Sequence, residues 1–199
     1  MAVEVRDFVA VVEGPLNEER GLAVIAETRR LAPNKPIRYL VNTHHHFDHS
    51  GGMRPFVVEG AAIVTHQMNR EFYEKVHFSP ASRTLQPDRL FLLNPDVVRD
   101  PVFELVNQKY VISDGTRMLD VYPVQGLNHA GTMLVAYLPR ERVLVNADLY
   151  SPPAQGAPLP AANPNMRALQ QTIQRLRLDV AQHVPIHGRV GTHDEFVKI

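Results

Sequence analysis

A dense run of metal-binding side chains follows the apolar segment Ile37–Val41, and it constrains the fold more than any other part of the sequence. Residues 44–49 contain four histidines and one aspartate. Neutral imidazole nitrogens and carboxylate oxygens are the ligands that suit zinc and its neighbours among the divalent metals. Because a loop that leaves a strand can fold several such groups around one point, the sequence predicts a metal centre at the end of this strand.

The spacing within the run predicts how its side chains divide. Side chains of an extended segment alternate with a period of two, so His44 and His46 point to the same side and can share one metal. Asp48 and His49 follow once the chain turns, and they can serve a second metal. The following Gly51-Gly52 is typical of a tight turn into a helix, where a permissive backbone is needed.

The pattern His44-x-His46-x-Asp48-His49, placed after a strand and before two glycines, resembles the signature of the metallo-β-lactamase superfamily. Most members of this superfamily are dinuclear zinc hydrolases. The resemblance implies a third histidine further along the chain, then an aspartate at the end of a strand, then a last histidine. The sequence has candidates for all three in that order, namely His129, Asp148 and His187.

The resemblance also implies how the ligands are shared, with two zinc ions per chain and iron or manganese as alternatives. One metal would be bound by His44, His46 and His129, the other by Asp48, His49 and His187, and Asp148 would bridge them. Among the other histidines, the alternation of side chains along an extended segment points His45 away from the candidate ligands. A loop at His66 could carry it to the pocket, and a position at the surface or beside the ligands is expected equally. His183 is interpreted as the start of a strand.

The pattern of elements predicts an α/β (α+β) fold, and the resemblance implies the αβ/βα sandwich of the superfamily. With 199 residues and 44% hydrophobic content, the chain is expected to form a single domain, residues 1–199. The predicted strands are Val3–Val5, Phe8–Val12, Ile37–Val41, Ala61–Thr65, Glu104–Ile112, Met118–Val124, Met133–Leu138 and Val143–Ala147. The predicted helices cover residues 17–31, 52–59 and 67–78 and the apolar face of Met166, Leu169, Ile173 and Leu176. The later strands are expected to form an antiparallel meander.

Both ends of the sequence are short in comparison with members of this superfamily. Members usually carry two or three more strands before the segment that matches Val3 to Val12, and a further helix after the region of His187. The sequence therefore predicts a member truncated at both ends. Because a bare sheet edge invites pairing with another copy, we expect a homo-oligomer, most simply a dimer.

The charge balance favours a small-molecule substrate over nucleic acid or an anionic membrane as the binding partner. Lysine plus arginine equals aspartate plus glutamate at 21 each, so there is no basic field for nucleic acid or for an anionic membrane. No apolar run approaches membrane-spanning length and the amino terminus has no signal-peptide pattern, so a cytoplasmic location is expected. The sequence contains no cysteine, which excludes the lactamases that bind the second metal through a thiolate.

The predicted function is hydrolysis of a cyclic amide or ester by a hydroxide that bridges two zinc ions, as in a β-lactamase or a lactonase. Asp48 is the candidate catalytic residue because a carboxylate in this position can orient the nucleophile and move a proton to the leaving group. Three alternatives stay open. They are a phosphodiester or phosphotriester hydrolase, a di-iron oxidoreductase, and a metal-binding protein without turnover.

The aromatic residues near the predicted pocket loops suit a small uncharged or weakly anionic substrate. These residues are Phe47, Phe72, Tyr73, Phe78 and Tyr150, and each fits core packing equally well. Arg54, Arg70 and Arg83 are near enough in sequence to contact a substrate carboxylate, but surface positions are expected for all three.

Overall fold

The computed structural model describes residues 1–79, 85–93 and 100–199, which form two compact units, residues 1–106 and 107–199. The strands of the first unit are β1 (Ala2–Glu4), β2 (Val9–Val12), β3 (Ile37–Val41), β4 (Ala62–His66) and β5 (Phe103–Val106). Its helices are α1 (Glu18–Leu31), α2 (Phe47–Ser50), α3 (Arg54–Val58), α4 (Arg70–Val76) and α5 (Arg89–Leu92), with a 3₁₀ turn at Gln67–Asn69.

The second unit has six strands and two helices. Its strands are β6 (Tyr110–Ser113), β7 (Met118–Pro123), β8 (Leu134–Leu138), β9 (Val143–Asn146), β10 (Gln182–Pro185) and β11 (Gly191–Thr192), and its helices are α6 (Pro164–Leu176) and α7 (His193–Val197). Across the described parts of both units, no helix combines the length and the apolar character needed to cross a membrane.

The sheet of the first unit is mixed, with strand order β1-β2-β3-β4-β5. β1 pairs antiparallel with β2, and β2 to β5 are parallel. Parallel strands are covered on both faces, which explains why all four residues of β2 are apolar and buried. In register, Val12 lies beside Val41, and Val41 lies beside Val64. The residues that follow these strands therefore meet at one edge of the sheet.

Helix α1 begins and ends where its sequence predicts. The side chain of Asn17 accepts a hydrogen bond from Arg20 N at 3.0 Å, which caps the first turn. Glu18 and Glu19 occupy the positive end of the helix dipole, and Arg29 and Arg30 occupy the negative end. The buried residues of α1 include Ile25, which belongs to the hydrophobic core of the first unit.

The sheet of the second unit has the order β11-β10-β9-β8-β7-β6. The antiparallel meander predicted for its early strands is confirmed in β6 to β9. β10 is parallel to β9, and α6 lies on the connection between them. The predicted apolar face of α6 is also confirmed, since Met166, Leu169 and Ile173 are buried in the core of this unit while Leu176 packs at its margin.

The structure corrects three predicted elements. Residues 104–112 form two strands in different sheets, because the polar segment 107–109 interrupts β propensity between Val106 and Tyr110. The helix predicted over residues 67–78 opens with a 3₁₀ turn and ends at Val76. A short helix, α7, lies beyond His187, where none is expected from the sequence, and it begins with a capping box between Thr192 and Glu195.

The two glycines after the metal-binding run are required for close packing and not for a special backbone conformation. Gly51 has φ −62° and ψ −22°, which any residue can adopt. A Cβ atom at Gly51 would lie 1.9 Å from Leu16 O, and one at Gly52 would lie 2.4 Å from Pro15 O. The backbone that follows β2 therefore packs directly on the backbone that follows α2, and the predicted role of these glycines as a permissive turn is wrong.

Replacement of Gly51 by alanine should lower the free energy of unfolding by about 3 kcal/mol, because a methyl group would overlap a backbone carbonyl that cannot move as a side chain does. Urea unfolding followed by circular dichroism measures the change. Gly131→Ala is the matched control, since a Cβ atom there meets open space, and it should change stability by less than about 0.5 kcal/mol. Equal effects of the two substitutions would refute the packing role.

Candidate metal centre

The loop that carries the first four candidate ligands is shaped by Asn42, the first residue after β3. Its buried side-chain amide donates to His49 O at 3.1 Å and accepts a hydrogen bond from the Tyr73 hydroxyl. Its backbone N–H donates to Val64 O at 2.9 Å. One buried side chain thus joins the start of the loop to its far end at α2.

The structure brings His44 and His46 together. Their ring centroids are 4.5 Å apart, and each offers a nitrogen within 4.8 Å of a nitrogen of the other. His44 is fully buried and His46 is half-buried. Thr43 Oγ1 lies 3.1 Å from His44 Nδ1, so this ring nitrogen contacts a protein hydroxyl. A metal ion would therefore be bound by Nε2 of His44.

Asp48 and His49 form a second pair on helix α2. Asp48 Oδ2 lies 3.2 Å from His49 Nε2, and the Asp48 side chain is 45% exposed while His49 is buried. The His49 ring lies 4.3 Å from the His44 ring, measured between centroids. The four candidate ligands of the first unit therefore form one cluster with an open side at Asp48.

Glu13 belongs to this cluster and was not predicted from the sequence. It follows β2 with φ +80°, is buried, and accepts a hydrogen bond from Thr43 N at 3.0 Å through Oε1. Its Oε2 lies 3.3 Å from His49 Nδ1. A carboxylate on Nδ1 orients a histidine and directs Nε2 to a metal. The only sequence signal for this role is an acidic residue directly after an apolar strand.

The remaining three candidate ligands lie together in the second unit. Asp148 follows β9 and His187 follows β10, and these strands are parallel with Asn146 beside Pro185, so both residues emerge at the same level. Asp148 Oδ2 lies 3.2 Å from His129 Nε2, and Asp148 Oδ1 lies 3.6 Å from His187 Nε2. Each carboxylate oxygen thus faces a different histidine, which is the arrangement that a bridging carboxylate needs.

The backbone at Asp148 is held in a conformation that costs energy. Its φ is +57°, in the left-handed region that residues other than glycine rarely adopt. Asn165 Nδ2 donates to Asp148 O at 3.1 Å and holds this conformation from helix α6. Ser151 Oγ donates to His187 O in the same way. Hydrogen bonds within the second unit therefore position two of its three candidate ligands.

The other histidines contact protein groups within their own units. His45 packs against Phe72 with ring centroids 5.4 Å apart, and His77 Nε2 lies 3.4 Å from Ser50 Oγ. His66 ends β4, where its Nδ1 accepts from Met68 N at 3.2 Å and burial lowers its pKa. His66 is therefore a buried cap for the 3₁₀ turn, and the surface position considered for it is wrong.

His183 lies in β10, as its sequence context predicts, and it pairs with a second histidine. His183 Nε2 is 3.0 Å from His193 Nδ1 at the start of α7, and the rings of Tyr150 and Phe196 pack against His183. Burial and the neighbouring His193 lower the pKa of His183 to about 3. Burial also lowers the pKa of His193. Both rings are therefore neutral near pH 7.

Several side chains considered as pocket residues lie elsewhere. Tyr73 and Tyr150 are buried in the two cores, while Phe47 is 66% exposed. Arg54, for which a surface position is expected, is buried and forms a bidentate ion pair with Asp88, because a guanidinium inside a protein needs a carboxylate partner. Arg70 is exposed as expected, with Glu74 as its ion-pair partner. Arg83 lies outside the described residues.

Replacement of Glu13 by glutamine should weaken zinc binding by about tenfold to 100-fold, because the amide removes the negative charge that orients His49. Competition with a chromogenic chelator measures this affinity without any substrate. Glu27→Gln, an exposed substitution on α1, serves as the control and should leave the affinity unchanged. Wild-type affinity in the Glu13 variant would show that Glu13 only packs the loop.

The His183–His193 pair should make stability fall in acid. The pKa of His183 is lower in the folded protein than the value near 6.5 expected in the unfolded chain. Its contribution to stability is therefore fully present above about pH 6.5, and it is lost as the pH falls towards 3. The expected slope from His183 alone is about 1.4 kcal/mol per pH unit within this window. Urea unfolding at several pH values should show a shallower slope for His183→Gln than for the wild type. Parallel profiles would contradict this assignment.

Comparison with known proteins supports the resemblance noted in the sequence. A family model described as the metallo-beta-lactamase superfamily matches residues 2–182. A curated relative, 2,4-dinitroanisole O-demethylase subunit alpha from Nocardioides sp. (strain JS1661), is 28% identical over 119 residues, which is 58% of this chain. The matched part spans only 30% of the length of that relative.

Solved structures agree with this chain over nearly its full length. A metallo-beta-lactamase from Pontibacter korlensis has a TM-score of 0.71 at 18% identity, covering 98% of this chain and 82% of that chain. The metallo-beta-lactamase FIM-1 from Pseudomonas aeruginosa, in its mono-zinc form, has a TM-score of 0.63 at 20% identity, covering 98% and 78%. At these identities the likeness establishes the fold, and the predicted α/β fold of this type is confirmed.

Proposed function

The chain belongs to the metallo-beta-lactamase superfamily, and on this premise we propose that it is a dinuclear zinc hydrolase acting on a cyclic amide or ester. Membership supports the coarser conclusion that the protein is a hydrolase of this superfamily with histidine and aspartate groups able to bind metal. The observation that best supports a dinuclear centre is the geometry of Asp148, whose two carboxylate oxygens face His129 and His187 separately.

The proposed ligands are the seven residues that the sequence singles out. They are His44, His46 and His129 for one metal, Asp48, His49 and His187 for the other, and Asp148 as the bridge. The donor chemistry fits zinc, since five imidazoles and two carboxylates supply nitrogen and oxygen in the mixture that zinc prefers. When bound, two such ions would supply a hydroxide near neutral pH and would polarise the oxygen under attack.

The residues of the chain then have separate tasks. Glu13 and Thr43 hold the Nδ1 atoms of His49 and His44, so that both rings keep their orientation during turnover. Asp48 is the most exposed carboxylate of the cluster, and we assign to it the transfer of a proton to the leaving nitrogen or oxygen. Asp48 Oδ2 lies 3.2 Å from His49 Nε2, so the two groups proposed for the second metal are adjacent.

A second candidate activity comes from the curated relative. That protein is described as a 2,4-dinitroanisole O-demethylase subunit, so a matching segment exists in an enzyme that removes a methyl group from an aryl ether. Hydrolysis of such an ether by the same hydroxide would break one C–O bond and release methanol and a phenolate, which the nitro groups stabilise. We therefore propose nitro-substituted aryl methyl ethers as the second substrate class to examine.

Zinc-loaded protein should hydrolyse a chromogenic β-lactam or an aromatic lactone and contain two zinc ions per chain by elemental analysis. Asp48→Asn should lower kcat by about 100-fold or more, because the leaving group would depart without its proton. Asp179→Asn is the matched control, since Asp179 is an exposed carboxylate whose partner is Arg142, and it should keep wild-type turnover. Unchanged turnover in the Asp48 variant would remove its catalytic role.

The same preparation separates the remaining interpretations. An aryl phosphodiester and 2,4-dinitroanisole complete the substrate panel, and turnover of either with no lactam or lactone activity would replace the leading proposal. Two iron ions per chain would favour an oxidoreductase, and zinc without turnover of any substrate would favour a metal-binding protein. The mass in solution tests the predicted homodimer.

A further inference from the structure

The candidate ligand His187 lies on a segment that is exposed to solvent. It follows β10, and its side chain is 51% exposed. Gly188 comes next with φ +111°, a conformation that residues other than glycine rarely adopt. Burial in the core therefore fixes neither this ligand nor the turn after it. Contacts with neighbouring segments set the position of the imidazole instead.

The segment that supplies these contacts follows β9. Ser151 Oγ donates to His187 O, and a Cβ atom at Gly188 would lie 3.3 Å from Ser151 Cβ. A Cβ atom at Gly191 would lie 2.4 Å from Pro152 Cγ, closer than any side chain could approach. The segments that follow β9 and β10 therefore pack directly on each other.

Arg189 adds a third contact between these segments and extends it to helix α7. Its Nε donates to Pro153 O at 2.7 Å, and its Nη2 donates to Glu195 Oε1 at 2.6 Å. The other oxygen of Glu195 accepts from Thr192 N at 2.8 Å, within the capping box of α7. Hydrogen bonds from the Arg189 guanidinium lower the pKa of Glu195 to about 2, so the pair stays charged near neutral pH.

The contacts of Arg189 need the shape of a guanidinium as well as its charge. One edge of the group faces a backbone carbonyl while the terminal nitrogens face a carboxylate. Arginine presents its N–H groups in a rigid planar fork, whereas lysine has a single ammonium on a flexible stem. A lysine here could keep the pair with Glu195, but it would not hold both acceptors at once.

A second arginine–carboxylate pair in the same unit serves as a comparison. Arg117 Nε lies 2.7 Å from Glu141 Oε1, and these side chains are 39% and 27% exposed, against 36% and 34% for Arg189 and Glu195. Ion pairs with this exposure add little to stability. Glu141 precedes β9, at the opposite end of that strand from Asp148. The two pairs are alike in exposure, and they differ in that Arg189 also binds a segment that begins at a candidate ligand.

The separation between Asp148 and His187 is the distance that these contacts can set. Asp148 Oδ1 lies 3.6 Å from His187 Nε2. Two ligand atoms of a tetrahedral zinc ion, each about 2.1 Å from the metal, are about 3.4 Å apart. The two groups therefore lie at a separation that one metal ion can span. A shift of one segment against the other would change it directly.

The charge of Arg189 would act on metal binding in the opposite direction from its contacts. A cation near a site for divalent ions repels them, so removal of the charge alone would strengthen metal binding. Loss of contacts that position the ligands would weaken metal binding. The sign of the change in affinity therefore separates the two effects.

We propose that Arg189 is a positioning residue of the candidate metal centre. By joining Pro153 O to Glu195, it holds Asp148 and His187 at the separation that one metal ion needs. Arg189 acts through the backbone of residues 149–153 and does not itself bind metal or substrate. Its effect on metal binding rests on the proposed dinuclear function, whereas the contact between the two segments does not.

Hydrogen exchange in the purified protein tests the contact between the segments. Tyr150 N donates to Asn146 Oδ1 at 3.0 Å, which protects this amide. Arg189→Gln and Arg189→Lys should each raise the exchange rates of the Tyr150 and Ser151 amides, because the segment after β9 would open more often. Arg117→Gln is the matched control and should leave both rates unchanged. Wild-type rates in both Arg189 variants would overturn the proposal.

Competition with a chromogenic chelator measures the zinc affinity of the same variants. Arg189→Gln should weaken zinc binding by about tenfold to 100-fold, and Arg189→Lys should not restore it although the charge is kept. Arg117→Gln should bind zinc as the wild type does. Zinc binding by Arg189→Gln as tight as that of the wild type, or tighter, would refute the positioning role. Full recovery in Arg189→Lys would show that the ion pair suffices and would refute the link through Pro153 O.

Turnover separates this inference from the proposed function. Weakened zinc binding in the Arg189 variants of a protein that hydrolyses no substrate would overturn the proposed function alone. Hydrolysis by the wild type together with unchanged zinc affinity in Arg189→Gln would overturn the role of Arg189 alone. Absence of zinc binding by the wild type would overturn both.

Discussion

The candidate metal centre depends on parallel strands that end at the same level. In the first unit, β2, β3 and β4 are aligned so that Glu13, Asn42 and Thr65 follow one another across the edge of the sheet. In the second unit, β9 and β10 are aligned so that Asp148 and His187 emerge side by side. Strand register therefore delivers these side chains to one place in each unit, because adjacent parallel strands of a buried sheet cannot slip without exposing their apolar residues.

Polar groups at these edges are held by contacts with other protein groups. Asn42, Thr43 and Glu13 are buried, and each makes a hydrogen bond within the loop. A buried carboxylate such as that of Glu13 is costly unless it is paired, so its contacts with Thr43 N and His49 Nδ1 are needed for stability as well as for orientation. The same groups that shape the loop would thus tune the metal ligands.

Much of this arrangement could be predicted from the sequence, because it depends on local patterns. Alternation placed His44 and His46 on one side, a capping residue marked the start of α1, and apolar runs marked β3, β8 and β9. The contributions of Glu13 and Arg54 could not be predicted in this way. Glu13 reaches His49 across 36 positions of the chain, and Arg54 reaches Asp88 across 34, so their roles depend on tertiary contacts. The packing role of Gly51 was missed for the same reason, since its contact with Leu16 is made between two loops.

The proposed function depends on seven residues that would bind two zinc ions, with Asp148 between them. Anomalous diffraction at the zinc edge from crystals of zinc-loaded protein tests it most directly. Two peaks about 3.5–4 Å apart are expected, one on the side of His129 and one on the side of His187. A single peak, or peaks away from Asp148, would contradict it.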